Sequence, residues 1–346
     1  MRTQEKTREA PGEQAQEKTH DETRGPLVSA GTAAGTTGGK TVLESIGNTP
    51  LIRLSRVTQG LSPNVEVLAK AEWMNPGGSV KDRPALWMIL DGERRGALNR
   101  QKTILDASSG NTAVAYAMIG AARGYKVRLC VPSNVEKTMI ATLTAYGADV
   151  ILTDPAQGMD GATKEVQRIF RSSPEEFFFP DQLNNEANWK AHYEGTANEI
   201  WRQAGGRVTH FLAGIGTAGT FVGTGRRLRE LAPAVRLISV QPSSPLHGLE
   251  GLRHMASAIV PGIYDPSLAD EEAAVDTEEA QAMVIRLSRE EGILVGLSAG
   301  AAVAASLSVA SKLDSGCVVT VLPEAGRRFL LQRFWETAPS AARGRP

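Results

Sequence analysis

Four stretches of this sequence put reactive or anion-binding side chains where a strand hands over to a helix. The first is Asn75-Pro76-Gly77-Gly78-Ser79-Val80-Lys81-Asp82-Arg83. Its Gly/Pro turn leads into a helix starting near Pro84, which places Lys81 close to a helix N-terminus. The positive end of the helix dipole disfavours an ammonium there and depresses the lysine pKa. A lysine in that state can form a Schiff base with a carbonyl. Taken alone, the same letters also describe a surface lysine beside an Asp82/Arg83 ion pair. The second stretch, Ser108-Ser109-Gly110-Asn111-Thr112, offers hydroxyls and free amide N–H groups to a carboxylate; ordinary N-capping is the competing explanation. The third, Gly214-Ile215-Gly216-Thr217-Ala218-Gly219-Thr220, lets backbone N–H groups approach a phosphate. It lacks the Gly-Lys-Ser/Thr end of a Walker loop and forms no G-x-G-x-x-G, so a monophosphate cradle fits better than a dinucleotide site. The fourth, Gly296-Leu297-Ser298-Ala299-Gly300, has the letters of a nucleophile elbow. An esterase triad needs a histidine after the serine, and the last one is His254, so a hydrolase is rejected.

A lysine, a phosphate cradle, a hydroxyl-rich anion loop and a lone serine fit together as the parts of a pyridoxal phosphate site. They would serve as Schiff base, phosphate anchor, substrate carboxylate loop and partner for the pyridine nitrogen.

The elements that must position them follow from periodicity. Apolar runs at 65–72, 103–108, 126–132, 148–154, 208–216, 235–242 and 317–323 read as strands. Helical patterns cover 113–125, 136–146, 162–172, 192–203, 220–231, 277–291 and 299–311. Strands alternating with such helices make parallel βαβ units, and nearly continuous apolar runs fit strands covered on both faces. The expected architecture is α/β, with two domains and a cleft at the carboxyl ends of the strands.

Composition narrows the function. The chain has 346 residues, with 38 Lys plus Arg balanced by 38 Asp plus Glu. Zero formal charge argues against a broad nucleic-acid surface. Two cysteines, Cys130 and Cys317, cannot form a dense disulfide framework, so a reducing, cytoplasmic setting is expected. No apolar run approaches the roughly 18–20 residues of a membrane span. No metal site is expected. Residues 1–40 carry charged and then Gly/Ala/Thr-rich sequence without an aromatic, which reads as a disordered tail.

Eight collinear motifs carry a family resemblance over about 41–330: IGNTPLIRL, NPGGSVKDR, SSGNT, DQLNNEAN, HYEGTANEIW, GIGTAGT, IVPGIYD and EEGILVGLSAGAAVAAS. The chain resembles the cysteine synthase family of fold-type II pyridoxal phosphate enzymes, closest to the cysteine synthase B branch. The resemblance implies two three-layer α/β domains with the cofactor in the interdomain cleft. The larger domain would hold 41–80 and 190–335, a smaller mobile domain 81–189, and 336–346 would be a flexible C-terminus. It implies that Lys81 is the Schiff-base lysine and general base. Asn111 would hold the cofactor's 3-oxygen, Gly216, Thr217, Ala218, Gly219 and Thr220 the phosphate, and Ser298 the pyridine nitrogen. Ser108, Ser109, Thr112 and Gln182 would take the substrate carboxylate.

The activity implied is β-replacement on an activated serine, O-acetylserine, by sulfide or thiosulfate, with ping-pong kinetics. Arg253 would read a phosphoryl leaving group or thiosulfate, or would serve structure through Glu250. O-phosphoserine sulfhydrylase, cystathionine β-synthase-type chemistry and a catalytically silent regulator are the alternatives. A homodimer is implied, with no nucleic-acid or membrane partner. Ala113, Ala218 and the segment Leu322–Phe329 depart from the family pattern, and alanine at a position of positive φ would cost on the order of 1 kcal/mol.

Overall fold

The computed structural model describes residues 39–337. The expected tail, apart from its last two residues, and nearly all of the expected flexible C-terminus lie outside the described residues. Among the described residues ten strands form two sheets. The first sheet has six strands: β1 (Leu51–Arg53), β2 (Val65–Ala71), β7 (His210–Gly214), β8 (Arg236–Pro242), β9 (Glu271–Val275) and β10 (Gly316–Leu322), in the order β1-β2-β10-β7-β8-β9. Only β1 runs antiparallel to its neighbour; β2, β10, β7, β8 and β9 are parallel. The second sheet is wholly parallel. It contains β3 (Thr103–Ala107), β4 (Val127–Pro132), β5 (Asp149–Thr153) and β6 (Phe177–Phe178), in the order β5-β4-β3-β6.

The helices are α1 (Asp82–Arg94), α2 (Asn111–Arg123), α3 (Lys137–Ala145), α4 (Gly158–Ser172), α5 (Glu186–Ala191), α6 (Ala197–Gln203), α7 (Gly219–Leu231), α8 (Thr277–Arg286), α9 (Leu297–Ala310) and α10 (Phe334–Thr337). The helix expected over 192–203 is instead a wider π-type turn, His192–Thr196, leading into α6. A second π-type turn, Leu287–Glu291, ends the run expected as one helix over 277–291.

The central strands are buried along nearly their whole length, as expected of parallel strands covered on both faces. Leu212, Ile238, Val240, Val318 and Leu322 of the six-stranded sheet pack with Val284 of α8 and Val303 of α9 in one apolar cluster. On the smaller sheet, Leu105 and Cys130 pack with Ala162, Val166 and Ile169 of α4. Cys317 lies in a third cluster with Phe211 and Phe221. Both thiols are free and buried, and burial pushes them up to about 12 for Cys130 and about 11 for Cys317. Among the described residues no helix is long and apolar enough to cross a membrane, and no cluster of side chains could hold a metal ion.

Candidate active site

Parallel strands leave their carboxyl ends on one side, and the loops there converge on a cleft of about 750 Å³. Lys81, Ser108, Ser109, Asn111, Thr112 and Gln182 line it. Gly216, Thr217, Ala218, Thr220, Arg253 and Ser298 line it as well. Of the residues expected to bind cofactor or substrate, Gly219 alone is not on the wall.

Lys81 is the N-cap residue of α1, as the turn Asn75–Gly78 anticipates. Burial holds its ammonium below the usual lysine range, against the opposing pull of Glu324, with Arg253 adding to the depression. The Asp82/Arg83 pair read as the local alternative is not the arrangement found. The Asp82 carboxylate accepts from the Gly77 N–H at 2.6 Å, and burial raises it to about 7. Arg83 turns to Glu72 and Glu199, at 2.7 Å from each. Lys70 reaches the same Glu199 at 2.7 Å. This buried network fixes the first turn of α1, and with it the backbone of Lys81.

The Ser108–Thr112 loop caps α2. The Ser108 hydroxyl accepts from the N–H groups of Gly110 and Ala113, both at 3.3 Å, so the capping that competes with a carboxylate role in the sequence is present. Thr112 donates to Gln182 Oε1 at 2.9 Å, which joins two of the residues expected at the substrate carboxylate. Ala113 lies inside α2 and bears no backbone strain.

The third loop leaves β7 and opens α7. First-turn N–H groups have no partner within the helix, so the loop presents donors to an anion. Gly216 is required by close approach: a Cβ there would stand 2.3 Å from the carbonyl oxygen of Gly251. Gly219 packs against the Asn188 side chain, whose Nδ2 donates to Thr217 Oγ1 at 3.1 Å. Ala218 has φ +70°, so the alanine that departs from the family pattern is indeed held in the left-handed region. Beneath the loop, buried His192 lies 3.4 Å from Thr220 Oγ1. Burial, then the charges of Arg83 and Lys81, push its pKa well below the ordinary value.

Ser298 is buried in the first turn of α9, with its hydroxyl 3.4 Å from Glu324 Oε1. Glu324 is one residue that sequence reasoning missed. It follows the end of β10, and the same attention to strand ends would have reached it. Asn111 Nδ2 donates to Glu324 Oε2 at 2.6 Å. Arg328, four residues on, lines the cleft and pairs with Glu250, so Glu250 is not the partner of Arg253. Arg253 instead donates to the Ile259 carbonyl at 3.2 Å. Asp106, at the end of β3, was also overlooked; burial raises it to about 7.

A lysine at a helix N-terminus facing a phosphate-type loop across one cleft is the decisive geometry. The profile of the pyridoxal-phosphate dependent enzymes matches residues 42–324. This chain belongs to that family. The enzyme is 46% identical over 296 residues to the cysteine synthase of Aquifex aeolicus, covering 84% of this chain and 90% of that protein. It is 39% identical over 290 residues to cysteine synthase B of Escherichia coli K12, covering 84% and 94% respectively. Among solved structures it is similar to O-acetyl serine sulfhydrylase isoform 3 of Entamoeba histolytica. The TM-score there is 0.82 at 32% identity, with 86% of this chain and 91% of that one covered.

The residues fit pyridoxal phosphate on their own terms. The lysine is depressed by burial, and the phosphate-side loop has no room for a Cβ at Gly216. Helix N–H groups and hydroxyls supply the anion donors.

Proposed function

We propose that the chain is a cysteine synthase that replaces the β-substituent of O-acetylserine with sulfur from sulfide or thiosulfate. The observation that carries this reading is the cleft itself, where Lys81, the Ser108–Thr112 loop and the Gly216–Thr220 loop meet. Pyridoxal phosphate, when bound, supplies the electron sink for the bond broken at the α-carbon. The protein's residues supply the rest. Gly216, Thr217, Ala218, Gly219 and Thr220 would hold the phosphate at the start of α7. Asn111 would hold the 3-oxygen and Ser298 the pyridine nitrogen.

Ser108, Ser109, Thr112 and Gln182 would fix the substrate carboxylate, which aims the α-hydrogen at Lys81. Burial keeps more of Lys81 neutral near pH 7, the state that a general base needs. Lys81 Nζ takes the α-proton and later returns it to the same carbon. Movement of 81–189 as a smaller domain against 41–80 and 190–335 would exclude water between these two transfers. A cytoplasmic homodimer belongs to the same proposal, and sedimentation of the purified protein tests the dimer.

One observation favours a second substrate. Arg253 lines the cleft, where a guanidinium can grip a phosphoryl group or thiosulfate. If Arg253→Ala leaves kcat/KM for O-phosphoserine unchanged relative to O-acetylserine, that substrate is not read by Arg253. The main reading is tested by the visible absorbance of the purified protein. Borohydride should bleach it, Lys81→Ala should lack the bleachable band, and O-acetylserine with sulfide should give cysteine. A protein that stays colourless after reconstitution refutes the proposal.

A further inference from the structure

Glu324 stands where Asn111, expected at the cofactor's 3-oxygen, and Ser298, expected at the pyridine nitrogen, meet, and the reaction above gives it no task. Its carboxyl is buried and takes the Asn111 amide at 2.6 Å on one oxygen and the Ser298 hydroxyl at 3.4 Å on the other. Its backbone is as tightly built in. Residues 323–325 stitch the Lys81 turn to the Ser298 turn: Val80 N–H donates to the Pro323 carbonyl at 2.7 Å, and Gly296 N–H donates to the Glu324 carbonyl at 3.3 Å. Ser79 pairs with Glu324, and Val295 with Ala325, as antiparallel bridges. Gly296 makes room for the side chain, since a Cβ there would lie 2.9 Å from both Cγ and Oε1 of Glu324.

We propose that Glu324 is a positioning residue that sets which end of the Asn111 amide and of the Ser298 hydroxyl faces the cofactor ring. This rests on the reading of the cleft as a pyridoxal phosphate site with Ser298 at the pyridine nitrogen. A carboxylate only accepts hydrogen bonds. As an anion, Glu324 draws one Asn111 N–H and the Ser298 hydroxyl hydrogen to itself. The second Asn111 N–H is then free to donate to the 3-oxygen, and Ser298 offers the ring nitrogen a lone pair, which suits a protonated nitrogen. As a neutral acid, Glu324 carries its own O–H and holds the serine hydrogen less firmly. Ser298 can then donate to an unprotonated nitrogen. A serine without a charged neighbour would favour only the second state, so the carboxyl makes the strength of the electron sink depend on pH.

The charged and hydrogen-bonding groups facing Glu324 come from four surrounding segments. Burial raises its pKa above the ordinary glutamate value. Arg328, from the turn after β10, lowers it, as do the Asn111 amide at the start of α2 and Lys81 at the start of α1. Glu250, from the loop after β8, raises it.

The test is the visible absorbance of the reconstituted holoenzyme as a function of pH. Wild type should show a one-proton step in its cofactor band, and Glu324→Gln should lose that step while keeping a band that borohydride bleaches. Arg328→Ala removes a positive neighbour and should move the step to higher pH. Glu250→Gln removes a negative one and should move it to lower pH. Opposite shifts cannot come from general loosening, and they hold even if Glu324→Gln folds poorly. A step that survives in Glu324→Gln, shifts of the same sign in the two charge variants, or no step in wild type overturns the proposal. A wild type without a bleachable band, or Lys81→Ala with one, overturns the cofactor reading and this inference with it. A bleachable band with an unaltered step removes only the role of Glu324.

Discussion

Replacing Gly216 with alanine perturbs at one atom the loop proposed to hold the phosphate. The new Cβ would stand 2.3 Å from the Gly251 carbonyl oxygen. A carbon–oxygen contact settles near about 3.3 Å, so one of the two backbones must retreat by about 1 Å. Neither is a flexible side-chain end. The two are also tied together, because the Arg253 N–H donates to the Ile215 carbonyl at 2.8 Å. Overpacking of this kind costs about 1–3 kcal/mol, and 1.4 kcal/mol is a factor of ten in binding. Affinity for pyridoxal phosphate should therefore fall roughly 5- to 150-fold. The assay titrates apo-protein with cofactor and follows absorbance. Gly292→Ala is the control: it has φ +72°, has no atom near its would-be Cβ, and lies off the cleft wall. That control should lose about 1 kcal/mol of stability and no affinity. If Gly216→Ala binds cofactor within twofold of wild type, the loop is not a phosphate cradle.

Other outcomes follow from the same structure. Ala218→Gly relieves a left-handed alanine and should raise stability by up to about 1 kcal/mol, read as a higher melting temperature; an unchanged or lower one counts against strain there. Arg83→Met leaves Glu72 and Glu199 buried without their guanidinium and should cost about 3–5 kcal/mol by denaturant titration; a loss below about 1 kcal/mol would mean that the network is slack. Glu199 is opposed by its own burial, but Arg83 and Lys70 bring it down to about 2. Its contribution is therefore present above the unfolded value of 4.5 and drains as pH falls toward 2, which acid-unfolding curves of Glu199→Gln should lack. Asp106 has the opposite sign: burial raises it to about 7, so its cost grows as pH climbs from 3.8 to 7. Asp106→Asn should gain stability over wild type across that window and then level off, and a pH-independent difference would refute the buried charge.

The strand–loop–helix units were legible because each joins an apolar run to a Gly- or Ser-rich turn. The same logic draws Lys81, Asn111, Thr217 and Ser298 toward one cleft, and all four line it. What escaped has physical reasons. Strand β9 is acidic and mostly exposed at a sheet edge, so it shows no apolar run, and β6 is only two residues long, too short for a period to register. The π-type turns at His192–Thr196 and Leu287–Glu291 keep helical composition and change only the hydrogen-bond register. Glu324 was passed over because a lone acid after a strand has the look of a solvated end. Its partners, Asn111 and Ser298, come from distant segments that only the fold brings together.

The late position of the 323–325 stitch matters for synthesis. Asn111 and its Glu324 partner are 213 residues apart, and the lysine turn leans on the same late segment. At roughly 5–20 residues per second, the ribosome takes about 10–40 s to travel between them. A nascent chain therefore presents Lys81 well before it has the strap that orders the lysine's surroundings. Cofactor capture then becomes one of the last events in the chain's production. A stop codon just before Glu324 would leave almost every motif of the family in place, yet yield a protein without a finished site.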